Sequence, residues 1–179
     1  MSLTLIIGGA RSGKSRFAEG LASKSAGPVS YVATATVVDK EMEARILHHK
    51  ERRPSDWTLH ECALDLPQLL QFEAQKEQTI LVDCLTMWLN NQLYENPQQD
   101  FSLLFFSLLD SIRDAKANVI FVANEVGLGI IPLGEITRQF VDEAGRLNQQ
   151  VAQQADKVTF MVAGLPLALK PNQAKGNYE

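Results

Sequence analysis

Cysteine is scarce in this chain: Cys62 and Cys84 are the two present in 179 residues. They form no CxxC and share no Cys/His spacing of the metal-binding kind, which excludes a disulfide framework and a zinc site. Two buried free thiols in a reduced compartment are expected instead. No apolar run approaches the ~20 residues that span a bilayer. The N-terminus shows no basic segment leading into an apolar one. The expectation is a cytoplasmic protein without a membrane anchor. Surplus positive charge is also missing. Net charge is −4 and neither half is strongly basic, which argues against a nucleic-acid partner, since phosphate backbones need a broad cationic surface. Internal repeats and low-complexity linkers are absent as well.

What is present suits a packed core: 45% of residues are hydrophobic and 21% charged. The length fits one domain, expected over residues 1–170, with the polar stretch 171–179 as a frayed tail. Nearly continuous apolar runs recur at Leu3–Gly8, Val29–Thr34, Thr79–Asp83, Asn118–Asn124 and Lys157–Gly164. Continuous rather than alternating runs are what strands of a parallel sheet look like when both faces are covered. Asp56–Cys62 alternates more and is a further candidate strand. Helical patterns lie between them, at Lys14–Ser23, Asp39–Arg52, Leu66–Ala74, Thr86–Leu93, Phe101–Ala115 and Glu135–Ala155. Strand and helix alternating in this way predict an α/β layer fold with right-handed crossovers. The stretch Glu95–Asp100 reads as a surface turn.

The first motif is "GGARSGKS", comprising Gly8, Gly9, Ala10, Arg11, Ser12, Gly13, Lys14 and Ser15. It fits G-x-x-x-x-G-K-[ST] and has the right setting, an apolar strand running in and a helix pattern running out. Glycines at both ends let the loop's N–H groups converge on phosphate oxygens, and the helix that follows adds the positive end of its dipole. Lys14 would reach the outer phosphates, and the Ser15 hydroxyl would hold Mg²⁺. Asp83 closes a later apolar run, where a carboxylate can orient Mg²⁺ or cap the next helix. Glu125, in "ANEVGLG", is a second acid or substrate contact in waiting. No "NKxD" occurs, which disfavours a switch-type GTPase. The motif class is therefore a Mg-nucleotide P-loop protein, which fold alone does not narrow further.

The second motif is "ARILHHKERRP", which gathers two of three histidines with Arg45, Lys50, Arg52 and Arg53. On a helix, Met42, Ile46 and His49 share a stripe, and His48 points about 100° away. Cations beside a half-buried imidazole hold it neutral, with a lone pair free for use. Three readings stay open here: a structural core histidine, a metal ligand (poorly served by adjacent histidines on one helix), or a base or nucleophile facing a polyphosphate.

Four blocks in order, "GGARSGKSRFAE", "YVATATVVDKEMEARILHHKERRP", "NEVGLGIIP" and "FVDEAGRLNQ", resemble the bifunctional adenosylcobinamide kinase / adenosylcobinamide-phosphate guanylyltransferase family of cobalamin biosynthesis. The resemblance runs from Leu3 to Leu169. It implies a RecA-like P-loop NTPase fold, a mostly parallel sheet with helices on both faces, assembled as a homotrimer. It implies two reactions, phosphorylation of adenosylcobinamide by ATP or GTP, then transfer of GMP from GTP to adenosylcobinamide phosphate. His49 matches the family's GMP-carrying histidine. Nucleotide-contacting positions match Gly8 to Ser15, Val32, Ala33, Thr34, Lys50, Glu51, Arg52, Arg53, Glu61 and Asp83. Two rival readings survive the residues themselves: another small-molecule P-loop kinase in which the histidines bind the acceptor, and a non-catalytic RecA-like nucleotide-binding module.

Overall fold

A computed structural model describes residues 1–36, 54–130 and 132–170. The expected helix Asp39–Arg52, with both histidines of the second motif, and the expected tail 171–179 lie outside the described residues. In chain order the elements are β1 (Leu3–Gly8), α1 (Lys14–Ala22), β2 (Val29–Ala33), β3 (Thr58–Glu61), α2 (Leu66–Glu73), β4 (Thr79–Asp83), α3 (Leu85–Glu95), α4 (Phe101–Asp110), β5 (Asn118–Asn124), α5 (Glu135–Gln154), β6 (Lys157–Val162) and β7 (Leu165–Lys170). They build one sheet in the order β3-β2-β4-β5-β1-β6-β7. Every neighbouring pair is parallel except β6 with β7.

Period-two alternation divides the apolar strands between two cores. On one face Val32, Ile80, Val82, Val119 and Phe121 pack with residues of α2, α3, α4 and α5. On the other Tyr31, Leu81, Ile120 and Val122 pack with Ala18 and Ala22 of α1. Helices therefore cover both faces, which is why the strand sequences are continuously apolar. Trp88 is fully buried, and its indole N–H donates to the Leu64 carbonyl at 2.8 Å, so its one polar atom is satisfied.

Two elements differ from the sequence expectation. The helix predicted over Phe101–Ala115 stops at Asp110, and the chain tightens into i→i−3 bonds, Asp110 accepting from Arg113 N–H and Ile112 from Ala115 N–H. Asp100, expected in a turn, is also the N-cap of α4, its carboxylate accepting from the N–H groups of Ser102 and Leu103. β7 is absent from the sequence reading. Its turn is Ala163-Gly164, both at positive φ, as a tight hairpin requires. Ala-Gly is a weak signal beside Asn-Gly, and Pro166 argues against a strand unless it lies at an edge, where β7 does.

Phe121 is 0% exposed in a central strand. Phe121→Ala should cost about 3–5 kcal/mol, measured by urea unfolding with an unchanged m-value. A loss below about 1 kcal/mol would contradict this core assignment.

Candidate active site

Six parallel strands deliver their carboxyl ends to one edge of the sheet, and register decides which side chains meet there. Ala33 pairs with both Glu61 and Asp83, Asp83 with Val122, Ile6 with Val122, and Gly8 with Asn124. Paired residues share a face, and Leu81, Tyr31 and Val122 mark that face as the one carrying α1. Asp83, Ala33 and Glu61 thus lie on the α1 side. Val32 has the opposite phase and is sealed in the other core at 0% exposure, so its side chain is not brought to the edge.

The loop Gly8–Gly13 is held from behind by the β6–β7 turn. A Cβ on Gly8 would lie 2.4 Å from the Met161 carbonyl oxygen and 2.9 Å from Ser12 Oγ, so no side chain fits there. Gly13 sits at φ +95° and caps α1, which requires glycine. Gly164 N–H donates to the Ser12 carbonyl at 3.1 Å. Arg11 is held at φ 56°, a left-handed conformation that costs a non-glycine residue about 1–3 kcal/mol and persists where the surroundings over-determine it. Ser12 Oγ is buried with no hydrogen-bond partner among the described residues, an unsatisfied donor suited to an anion's oxygen. Gly9 and Ser15 are partly buried, and Ala10 and Arg11 exposed.

Lys14 is buried at 7% exposure, and its Nζ donates to the Gly9 carbonyl at 2.6 Å. Burial holds its pKa below the ordinary lysine value, partly offset by negative charge at Cys84 and Asp83. At neutral pH only Asp83 contributes, because burial and the neighbouring Asp83 charge push the Cys84 thiol up to about 12. Cys62 is likewise raised, by burial and then by Asp65. Both thiols are free, as expected, and partly rather than wholly buried, and both are poor nucleophiles.

Asp83 accepts a hydrogen bond from the Tyr31 hydroxyl at 3.1 Å. Thr34 clamps the next residue, Cys84, at both its N–H and its carbonyl. Its hydroxyl donates to the Cys84 carbonyl at 2.7 Å and accepts from Cys84 N–H at 2.9 Å. Asn91 of α3 donates to the carbonyls of Thr34 at 2.8 Å and Ala63 at 3.1 Å. Thr34 is 0% exposed, so its hydroxyl braces the backbone behind Asp83. Sequence reasoning did not pick out Tyr31 or Asn91. The signal for Tyr31 was available, since it stands two residues before Ala33 and so on the same face. Asn91 had none. Lys50, Glu51, Arg52, Arg53 and His49 lie outside the described residues.

Among the described residues no three His, Cys, Asp or Glu side chains converge as a metal cage. Ser15, in the first turn of α1, and Asp83 supply one hydroxyl and one carboxylate at the same edge. This hard-oxygen set fits Mg²⁺, which completes its shell with phosphate and water.

A glycine loop between a buried parallel strand and a helix, a buried lysine, and a carboxylate on the strand two places along define a P-loop NTPase of RecA-like fold. The fold is similar to that of the flagellar accessory protein FlaH from Methanocaldococcus jannaschii, at TM-score 0.55 and 17% identity, over 99% of this chain and 82% of that one. An ATPase of the type III secretion system of pathogenic bacteria gives TM-score 0.57 at 11% identity, over 93% and 56%. The particular family follows from sequence. The family model described as "Cobinamide kinase / cobinamide phosphate guanyltransferase" matches residues 4–169, and the chain belongs to that family. It is 49% identical to the bifunctional adenosylcobalamin biosynthesis protein CobP of Pseudomonas aeruginosa, over 93% of this chain and 96% of that one. With CobU of Salmonella typhimurium it shares 39% over 94% and 99%. Membership assigns it the two activities in the family's description, with nucleotides as substrates.

Burying a lysine whose folded pKa is depressed opposes folding at neutral pH. As pH rises through the depressed value the folded chain sheds its proton before the unfolded chain does, so stability rises there. Lys14→Met should therefore raise the Tm of the nucleotide-free protein at pH 7 and abolish its further rise on adding GTP. A lower Tm with GTP stabilisation intact would contradict both roles.

Proposed function

We propose that this edge serves both reactions: phosphorylation of adenosylcobinamide by ATP or GTP, and transfer of GMP from GTP to the resulting phosphate through a covalent GMP-histidine. The observation that carries this reading is the buried Lys14 in its glycine loop with Asp83 on the same face. Gly8 to Ser15 grip the outer phosphates through backbone N–H groups, the Lys14 ammonium and the Ser12 hydroxyl. Ser15 and Asp83 hold Mg²⁺, which supplies charge neutralisation when bound. In the kinase step Lys14 spreads the charge of the transferring γ-phosphoryl. In the transfer step a His49 ring nitrogen attacks the α-phosphorus: an N–P bond forms, the Pα–O bond breaks, and pyrophosphate leaves with the electron pair. An oxygen of the acceptor phosphate then attacks the same phosphorus and the N–P bond breaks. Splitting the transfer in this way lets pyrophosphate depart before the acceptor enters.

Lys50, Glu51, Arg52 and Arg53 contact the nucleotide, as do the main chain of Val32, Ala33 and Thr34, and the carboxylate of Glu61. Residues 1–170 form the single catalytic domain, with 171–179 a tail. The protein works in the cytoplasm as a homotrimer. No helix among the described residues is long and apolar enough to cross a membrane.

Incubation with α-labelled GTP should leave acid-labile label on the chain, visible as one added GMP by intact-mass spectrometry and missing from His49→Ala. An unlabelled wild-type chain would end the covalent route. Lys14→Ala should impair both reactions and His49→Ala mainly the guanylyl transfer. The reverse pattern in kinase and transferase assays would overturn this division of labour.

A further inference from the structure

We propose that Glu125 is the general base of the kinase half-reaction, taking the proton from the acceptor hydroxyl; this rests on the reading of two reactions at one edge. The two reactions differ in what their nucleophiles need. The hydroxyl attacked onto the γ-phosphorus must lose a proton. The nucleophiles of guanylyl transfer are a neutral imidazole and a phosphate monoester oxygen that is already anionic at pH 7. Only the first requires a base.

Among the described residues, three carboxylates stand at or just beyond strand ends on the carboxyl edge: Glu61, Asp83 and Glu125. Strands are spaced ~4.8 Å apart. The strand bearing Glu61 is four places from β1, that of Asp83 two, and β5, which leads into Glu125, is the direct neighbour. The offsets from the loop strand are therefore about 19, 10 and 5 Å. Asp83 is committed to Tyr31 and to the field around Lys14, which places it with the metal and phosphates. Glu125 is anchored to the glycine loop itself. Its N–H donates to the carbonyl of Gly8, the first residue of the loop, at 3.0 Å.

The backbone just before Glu125 is fixed on both sides. Asn124 N–H donates to Thr86 Oγ1 at 2.6 Å, and the Asn124 carbonyl accepts from Asn148 Nδ2 at 3.3 Å. The carboxylate is oriented too: Oε1 accepts from Gly127 N–H at 2.9 Å, leaving Oε2 for the acceptor. A side chain at residue 127 would press on that oxygen, since a Cβ there would sit 3.2 Å from Oε1. In the step, the hydroxyl O–H proton passes to Glu125 Oε2 while the hydroxyl oxygen bonds to Pγ. The bond from Pγ to the bridging oxygen breaks, and the nucleoside diphosphate leaves with the electron pair. Water then removes the proton from Glu125.

The test is Glu125→Gln in the full chain, with both half-reactions measured separately: phosphorylation of cobinamide, and guanylyl transfer to cobinamide phosphate supplied as substrate. The amide oxygen can still accept from Gly127 N–H, so the loop is kept and the transfer rate serves as the folding control. Kinase kcat should fall by a factor on the order of 10²–10⁴, with guanylyl transfer within about threefold of wild type. A kinase loss below tenfold, or an equal loss of both reactions, would overturn the assignment. A wild-type chain with neither reaction would sink the functional reading instead.

Discussion

Everything at this site depends on parallel pairing in one register. Six strands running the same way bring six chain exits to one edge, and the partners Ala33–Asp83, Asp83–Val122 and Gly8–Asn124 determine which residues emerge together. A slip of one residue in β4 would turn Asp83 away from α1 and bury it among the apolar residues of the opposite face. The apolar phase that builds the two cores therefore also aims the carboxylate. Packing and chemistry are set by one constraint.

Around that edge, polar groups replace the ladder where it ends. Thr34 and Asn91 hold the exit of β2, Thr86 and Asn148 hold the exit of β5, and Met161 of β6 with the turn residue Gly164 backs the glycine loop. These contacts, side chain to backbone at the strand exits and backbone to backbone behind the loop, hold the segments that carry Lys14, Asp83 and Glu125. The cost is visible in Lys14, buried with its charge disfavoured, and in Ser12 Oγ, buried without a partner among the described residues. Both are relieved by an anionic ligand, which is the behaviour a phosphate site needs.

Much of this was legible in the sequence because it is local. The glycine loop, the strand before it, the helix after it and the acid ending "TILVD" each follow from a few adjacent residues. The two-sided burial of β4 and β5 was legible for the same reason. What escaped depends on tertiary placement. Val32, Ala33 and Thr34 are consecutive, yet strand phase sends Val32 into the core and the Cys84 backbone at the end of the neighbouring strand claims the Thr34 hydroxyl. Tyr31 serves Asp83 only because β2 lies beside β4. β7 and its turn carry weak local signals, so the buttress behind the loop could not be read from its own residues.

The central claim is that a single nucleotide site serves both chemistries. It is tested most directly by titrating a GTP analogue, blocked at both bridging positions, against the two reactions in parallel. The account predicts one analogue bound per chain, with kinase and transferase rates falling together as occupancy rises. Persistence of either reaction at saturating analogue would contradict it.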